Sequence, residues 1–222
     1  MSDGSVKRLS RRYDNSGRAV QAAANRAAVL EAAAQLLIDK GYSQTTMAAV
    51  ARLAGVSVET VYKTFGNKPA LVREVLGAAV VGDDEPVALM DRPDMQAALH
   101  APTGAQILLA LVQASMDILA RLGPLLATLL VAARAGEPEL REIAAQAGQQ
   151  RLTDLTRVID AVAATGDLRA DLDVPHAADV LWRIGSPEVY LQLTVDRGWT
   201  VDEYQTWLAE TLQTLLLRGP LR

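Results

Sequence analysis

The chain contains no cysteine, only two histidines and a single phenylalanine among its 222 residues. Without cysteine there is no disulfide, no thiol nucleophile and no cysteine-ligated zinc. His100 and His176 lie far apart, so a metal site would have to be built from carboxylates, and none is expected. The patterns G-x-S-x-G, G-x-G-x-x-G, H-E-x-x-H and the P-loop are all missing, and Ser186 has no nearby histidine to activate its hydroxyl. Neither an enzyme nor a bound cofactor is therefore expected. No run of about 18 apolar residues is free of charge, and the polar, basic start lacks an apolar signal core, which points to a cytoplasmic protein. Strand-like alternation never lasts more than a few residues, so the fold class is all-α.

What charge there is lies unevenly. Residues 1–68 hold ten Lys or Arg against five Asp or Glu, and the remainder holds 12 against 21, so the overall net of −4 hides a basic head on an acidic body. Such a head suits phosphate contact, with the acidic body turned away. Lys7, Arg8, Arg11, Arg12, Arg18 and Arg26 cluster before and at the start of the first helix. The arm, residues 1–17, reads either as a solvated disordered tail or as an extension that lies along a nucleic-acid groove.

Glycine and proline divide the rest into nine expected helices, at 18–40, 46–54, 58–65, 68–81, 104–122, 124–135, 138–164, 175–195 and 201–217. Residues 82–103, with three prolines and five carboxylates, read as an irregular connector. The expected domains are a head at 18–68 and a helical body at 69–222.

Residues 45–71, TTMAAVARLAGVSVETVYKTFGNKPAL, carry the sharpest pattern. Ala51 suits a close crossing of two helices, and Gly55 suits the left-handed residue that ends the first. Val56 and Val61 point inward across the turn, while Ser57 is placed to cap the second helix. The layout is that of a helix-turn-helix, although ordinary helical hairpins use the same residue types. The second helix would expose Val58, Glu59, Tyr62 and Lys63. Asn67 should cap the next helix, placing Lys68 and Pro69 in its first turn. A cation at the positive end of a helix dipole is unfavourable unless an anion such as phosphate docks there.

With RAAVLEAAAQLLIDKGYSQTT before the motif and AGVSVETVYKTFGNKPALV within it, the chain resembles the tetracycline-repressor (TetR) family over roughly its first 80 residues. The resemblance implies that Val58, Glu59 and Thr60 read bases, and that Tyr62, Lys63, Thr64 and Lys68 touch the DNA backbone. Thr45 and Thr46 match a further phosphate contact. Family members commonly carry a second aromatic and a histidine where this chain has Lys63 and Thr64. Glu59 either accepts from a cytosine amino group in the major groove or simply faces solvent. The resemblance further implies nine helices, three in the head, and a homodimeric, ligand-responsive repressor on a palindromic double-stranded DNA operator. An activator with the same fold, or a helical adaptor that mimics a DNA reader, are the alternatives. In the implied mechanism two copies of helix 58–65 enter successive major grooves about 34 Å apart. Ligand in the body moves helix 68–81 as a lever and changes that spacing.

Within the body, helix 104–122 keeps Gln106, Gln113, Asp117 and Arg121 on one stripe, with Asp117 and Arg121 four apart and ready to pair. PLLATLLVAAR, at 124–134, is apolar nearly all round, so it should be buried, lining either a solid core or a cavity. The family resemblance implies a pocket among these middle helices. Met116, Leu126, Thr128, Leu129 and Leu130 are its expected walls, for a largely hydrophobic small-molecule effector. The C-terminal part holds Trp182, Trp199, Trp207, Tyr190 and Tyr204. Trp182, Tyr190, Trp207, Leu208, Leu212 and Leu215 are the expected dimer interface, with packing inside one chain as the other use for the same residues. Thr200 and Glu203 form a capping-box pattern, and Pro187 should kink the helix that contains it.

Overall fold

The computed structural model describes residues 10–82 and 87–219, the side chains of 10–16 apart. The described residues form an all-α chain. Its helices are α1 (Ser10–Gln44), α2 (Met47–Ala54), α3 (Val58–Phe65), α4 (Lys68–Val81), α5 (Pro93–Leu99), α6 (Gly104–Arg134), α7 (Pro138–Ala164), α8 (Val174–Ile184), α9 (Pro187–Leu191) and α10 (Val201–Leu216). Two compact units divide at Val75 and Leu76.

Four features differ from the sequence expectation. Residues 10–17, expected in the arm, belong to α1, while residues 1–9 of that arm lie outside the described residues. The connector contains α5 and a short 3-10 turn at Leu89–Asp91, because Met90 and Met95 are buried in the body's core and anchor it there. Pro124 does not break the middle helix: α6 runs through it to Arg134. Packing outweighs the single bond that proline removes, since Gly123 lets Tyr190 and Leu191 approach, and a Cβ there would stand 3.4 Å from the Tyr190 ring. Last, the expected helix 175–195 is broken at Gly185 and Ser186. Ser186 caps α9, with Pro187 in its first turn, and the chain continues through a π turn at Gln192–Asp196.

In the first unit α1 packs on α2 and α2 on α3, with Val29, Ala33, Leu36 and Leu37 of α1, Val50 and Ala51 of α2, and Val61 and Phe65 of α3 all buried. Gly41 interrupts α1 with φ 77, a left-handed conformation, and turns Tyr42 inward. Arg26 ties α1 across the unit, its guanidinium 2.7 Å from the Glu74 carboxylate and 5.2 Å from the centroid of the Phe65 ring. One of the basic residues of the sequence cluster thus serves the head's own packing.

In the second unit α6 is central, packed against α5, α7, α9 and α10, with α8 covering α7. Ile107, Leu108 and Val112 of α6 meet Val158, Ile159 and Val162 of α7 and Leu208, Leu212 and Leu216 of α10 in one core. Gly104 starts α6 where a Cβ would press within 3.0 Å of Val162, Asp167 and Leu217, and its N–H donates to the Asp167 carboxylate at 2.7 Å. Among the described residues α6 is the one helix long and apolar enough to cross a bilayer, but it supplies the centre of this core.

The expected burial of 124–134 holds for one side only. Leu125 and Leu129 are buried, whereas Val131 is 66% exposed and Pro124 and Ala127 are exposed with it, because only one face of this half of α6 meets α7 and α9. The expected dimer residues are also redistributed. Tyr190, Leu208 and Leu212 lie in the protomer's own core, Leu212 at 1% exposure, so a partner could not reach them. Trp182 turns toward α7, donating from Nε1 to the Gly148 carbonyl at 3.3 Å, with the Arg151 guanidinium 5.7 Å from its ring. Trp207 packs edge-to-face on Trp199, centroids 5.9 Å apart. Leu215 lines one open groove, with Leu172, Val180 and Ile184, and Trp207 lines another.

Candidate DNA-binding site

The site is assembled by two caps and a glycine. Thr46 caps α2, its hydroxyl oxygen accepting from the Ala49 N–H at 3.1 Å. Gly55, at φ 69, ends α2 in the left-handed conformation and sends its N–H back to the last turn. Ser57 then caps α3, accepting from the Thr60 N–H at 3.1 Å. Val61 and Phe65 are buried, which fixes the rotation of α3 and leaves Val58, Glu59, Thr60, Tyr62, Lys63 and Thr64 on its outer face.

Each side chain on that face has a specific setting. Tyr62 is 52% exposed, a flat ring free to lie on sugar and phosphate. Thr60 meets the Ser57 hydroxyl at 3.0 Å, and Thr64 donates to the Thr60 carbonyl at 2.9 Å, so both hydroxyls are held in place. The Glu59 backbone amide and the Ser57 hydroxyl hold the Glu59 carboxyl below the ordinary range, at the positive end of α3.

Beyond α3, Gly66 makes the turn at φ 77 and Asn67 caps α4, its side-chain oxygen accepting from the Ala70 N–H at 2.8 Å. Lys68 then stands at the start of α4 with its ammonium 3.8 Å from the centroid of the Tyr42 ring. A cation and a helix N-terminus therefore sit beside the exposed face of α3, the combination that binds phosphate.

Thr45 does not join this surface. It is 2% exposed, and its hydroxyl donates to the Gly41 carbonyl at 2.8 Å. It closes the bend between α1 and α2 and cannot reach a phosphate, whereas Thr46, one residue on, is exposed.

Of the expected effector walls, Met116 and Leu129 are buried and Leu126, Thr128 and Leu130 are half-buried. Met116 is in the body's core, Leu129 is buried between α6 and its neighbours, and the Thr128 hydroxyl donates to the Pro124 carbonyl at 3.2 Å. Two concavities of the body lie elsewhere. One of about 450 Å³ is lined by Arg169, Leu172, Asp179, Val180, Arg183, Ile184 and Leu215, and one of about 480 Å³ is walled by Trp199, Trp207 and carboxylates of α10.

Comparison with known proteins places this geometry. The family model for bacterial regulatory proteins of the tetR family matches residues 29–75. The HTH-type transcriptional regulator YvkB of Bacillus subtilis is 46% identical over 48 residues, 22% of this chain and 25% of that one. The match thus spans about a quarter of that relative's length. A second regulator of the same organism, YdeS, is 26% identical over 155 residues, 70% of this chain and 73% of its own. Among solved structures, the transcriptional regulator FadR from Bacillus subtilis, in complex with stearoyl-CoA, superposes with a TM-score of 0.66 at 20% identity, covering 83% of this chain and 96% of that one.

Proposed function

We propose that this chain, a DNA-binding transcriptional regulator of the TetR family, acts as a homodimeric repressor that reads a palindromic operator through α3 and releases it when an apolar small molecule enters the body. The observation that carries the DNA reading is the adjacency of two surfaces. The capped outer face of α3 reaches toward base edges, and the Lys68 ammonium at the start of α4 takes the neighbouring phosphate. On this reading Val58, Thr60 and Glu59 face bases, and Thr46, Tyr62, Lys63, Thr64 and Lys68 hold the backbone.

The second copy docks on the groove between α8 and α10. Leu172, Val180, Ile184 and Leu215 give it an apolar floor, and Asp179 and Arg183 stand on its rim. A two-fold axis there would set Asp179 of one protomer against Arg183 of the other, so one patch is complementary to itself. The acidic body, carrying the chain's excess of carboxylates, stays clear of the operator.

The effector enters around Met116, Leu126, Thr128, Leu129 and Leu130. Met90, Met95 and Met116 are unbranched and can give way to an apolar guest without backbone rearrangement. That FadR holds stearoyl-CoA supports the capacity of this fold to open around an apolar chain. Ligand and operator then compete through states of the dimer that each prefers.

Selection of random-sequence double-stranded DNA by the wild-type protein tests the reading. An inverted repeat with half-sites about one helical turn apart, bound by two chains, is expected. Failure to enrich any sequence at about 0.15 M salt would leave a helical adaptor as the better account.

A further inference from the structure

The groove along α10 is walled by two tryptophans. Trp199, in the turn before the helix, and Trp207, in its second turn, meet edge-to-face with centroids 5.9 Å apart and planes at 87°. Each indole packs on the body's core with part of its surface and is only half-buried. The pair therefore leaves an aromatic corner open to solvent.

Asp202, Glu203 and Glu210, all exposed, line the same groove, and no basic residue does. The helix dipole accounts for carboxylates in the first turn, and Glu203 closes the capping box there. The Thr200 amide and hydroxyl hold the Glu203 carboxyl below the ordinary range. Glu210, seven residues on, caps nothing. Neither Asp202 nor Glu210 makes an ion pair or a side-chain hydrogen bond among the described residues, so their charges stand unmatched beside the indoles.

These walls select among occupants. An anion meets only carboxylates. A neutral apolar guest would cover the indoles but strip water from charges that it cannot match. A metal ion finds no group of three ligating side chains among the described residues. A cation that carries apolar surface suits both halves of the groove, because indole faces attract it through their quadrupoles and the carboxylates balance its charge. At about 480 Å³ the groove is of a size that takes a small molecule.

We propose that this groove binds a small organic cation, an ammonium on an apolar body, against Trp199 and Trp207 with Asp202 and Glu210 as its counter-ions. The site shares no residue with the effector walls on α6 or with the groove between α8 and α10, and it stands whether or not the chain is a repressor.

The test titrates full-length protein with (para-hydroxyphenyl)trimethylammonium by isothermal calorimetry, with para-tert-butylphenol, its uncharged isostere, as competitor. Saturable binding of the cation at one site per chain is expected, weakening as salt rises to about 0.5 M. The isostere should displace it only at roughly tenfold higher concentration or more. Trp199→Leu should weaken the cation roughly threefold or more. Asp202→Asn with Glu210→Gln, both on the exposed face of α10, should do so to a similar degree. Each variant is checked for native helicity, and the carboxylate pair decides the matter if Trp199→Leu does not fold. No saturable binding to the wild type, an isostere that competes as well as the cation binds, or unchanged affinity in the folded variants would each overturn the proposal. Tighter binding of an oligolysine peptide or of phosphatidylcholine vesicles would overturn it too, by giving the groove to a protein segment or a membrane.

Discussion

The Lys68 ammonium stands 3.8 Å from the centroid of the Tyr42 ring, although the two residues belong to opposite ends of the head's first and fourth helices. Gly41 bends α1 so that Tyr42 is buried, and the buried ring then holds a cation at the start of α4, where the helix dipole alone would disfavour it. On the proposed reading, the charge that meets phosphate is positioned before DNA arrives.

Lys68→Ala should therefore weaken binding to every DNA sequence and lower the slope of log affinity against log salt by about one. Tyr42→Leu should reproduce part of that loss, because the charge remains but its placement does not. Thr60→Ala should instead change base preference at one position of each half-site, since Ser57 still caps the Thr60 N–H. Fluorescence anisotropy on the selected operator and its point variants measures all three. Identical salt slopes for wild type and Lys68→Ala would remove Lys68 from the DNA surface.

Thr45 and Thr46 give a paired prediction. Thr45→Val should cost about 1 kcal/mol of stability, through loss of its bond to the Gly41 carbonyl, and leave the salt slope unchanged. Thr46→Ala should cost a similar amount by loss of a helix cap, and should also weaken operator binding. Urea denaturation and anisotropy together separate the roles. An unaffected operator affinity in Thr46→Ala, at protein concentrations where it is fully folded, would show that Thr46 only caps.

Assembly can be separated from folding in the same manner. Ile184→Glu places a charge in the apolar floor of the α8–α10 groove, so it should give a folded monomer of about half the wild-type mass with weakened operator binding. Leu212→Asp buries a charge in the protomer's own core and should unfold the body. Light scattering and circular dichroism decide between them. A wild-type protein that is itself monomeric at micromolar concentration would place the groove outside any dimer.

The contrast between those two leucine-rich surfaces marks where the sequence stops being legible. The head's helices after α1 are readable to within a residue because caps and glycines act locally: Ser57, Asn67, Gly55 and Gly66 each announce a boundary that only neighbouring atoms enforce. The body is set by packing at a distance. Nothing near Pro124 in sequence shows that Tyr190 and Leu191 will press on Gly123 and carry α6 through the proline. Nor does the apolar stripe of α10 say which side meets α6 and which stays open, since Leu212 and Leu215 are alike as residues and differ only in what packs on them. Arg121 is the same lesson in charge: its local partner is Asp117, and a helix 42 residues away takes it.

Tyr204 supplies the last prediction. Its side chain is fully buried, with its ring edge-to-face on Tyr190 at 5.1 Å, and its hydroxyl has no hydrogen-bond partner among the described residues. A buried hydroxyl without a partner has lost its bonds to water and gained nothing, so Tyr204→Phe should be neutral or stabilising by up to about 1 kcal/mol near pH 8. Burial also pushes the phenol up to about 12, opposed by the nearby Arg151 charge. Because the folded state holds this proton more tightly than the unfolded chain does, its contribution is present below about pH 10 and is lost as the pH rises toward 12. Wild type should thus lose stability across that window faster than Tyr204→Phe, and urea denaturation of both at pH 8 and pH 11 measures the difference. A Phe variant that is less stable by more than about 1 kcal/mol at pH 8 would mean that the hydroxyl makes a hydrogen bond in solution, and the same alkaline loss in both proteins would show that another group titrates there.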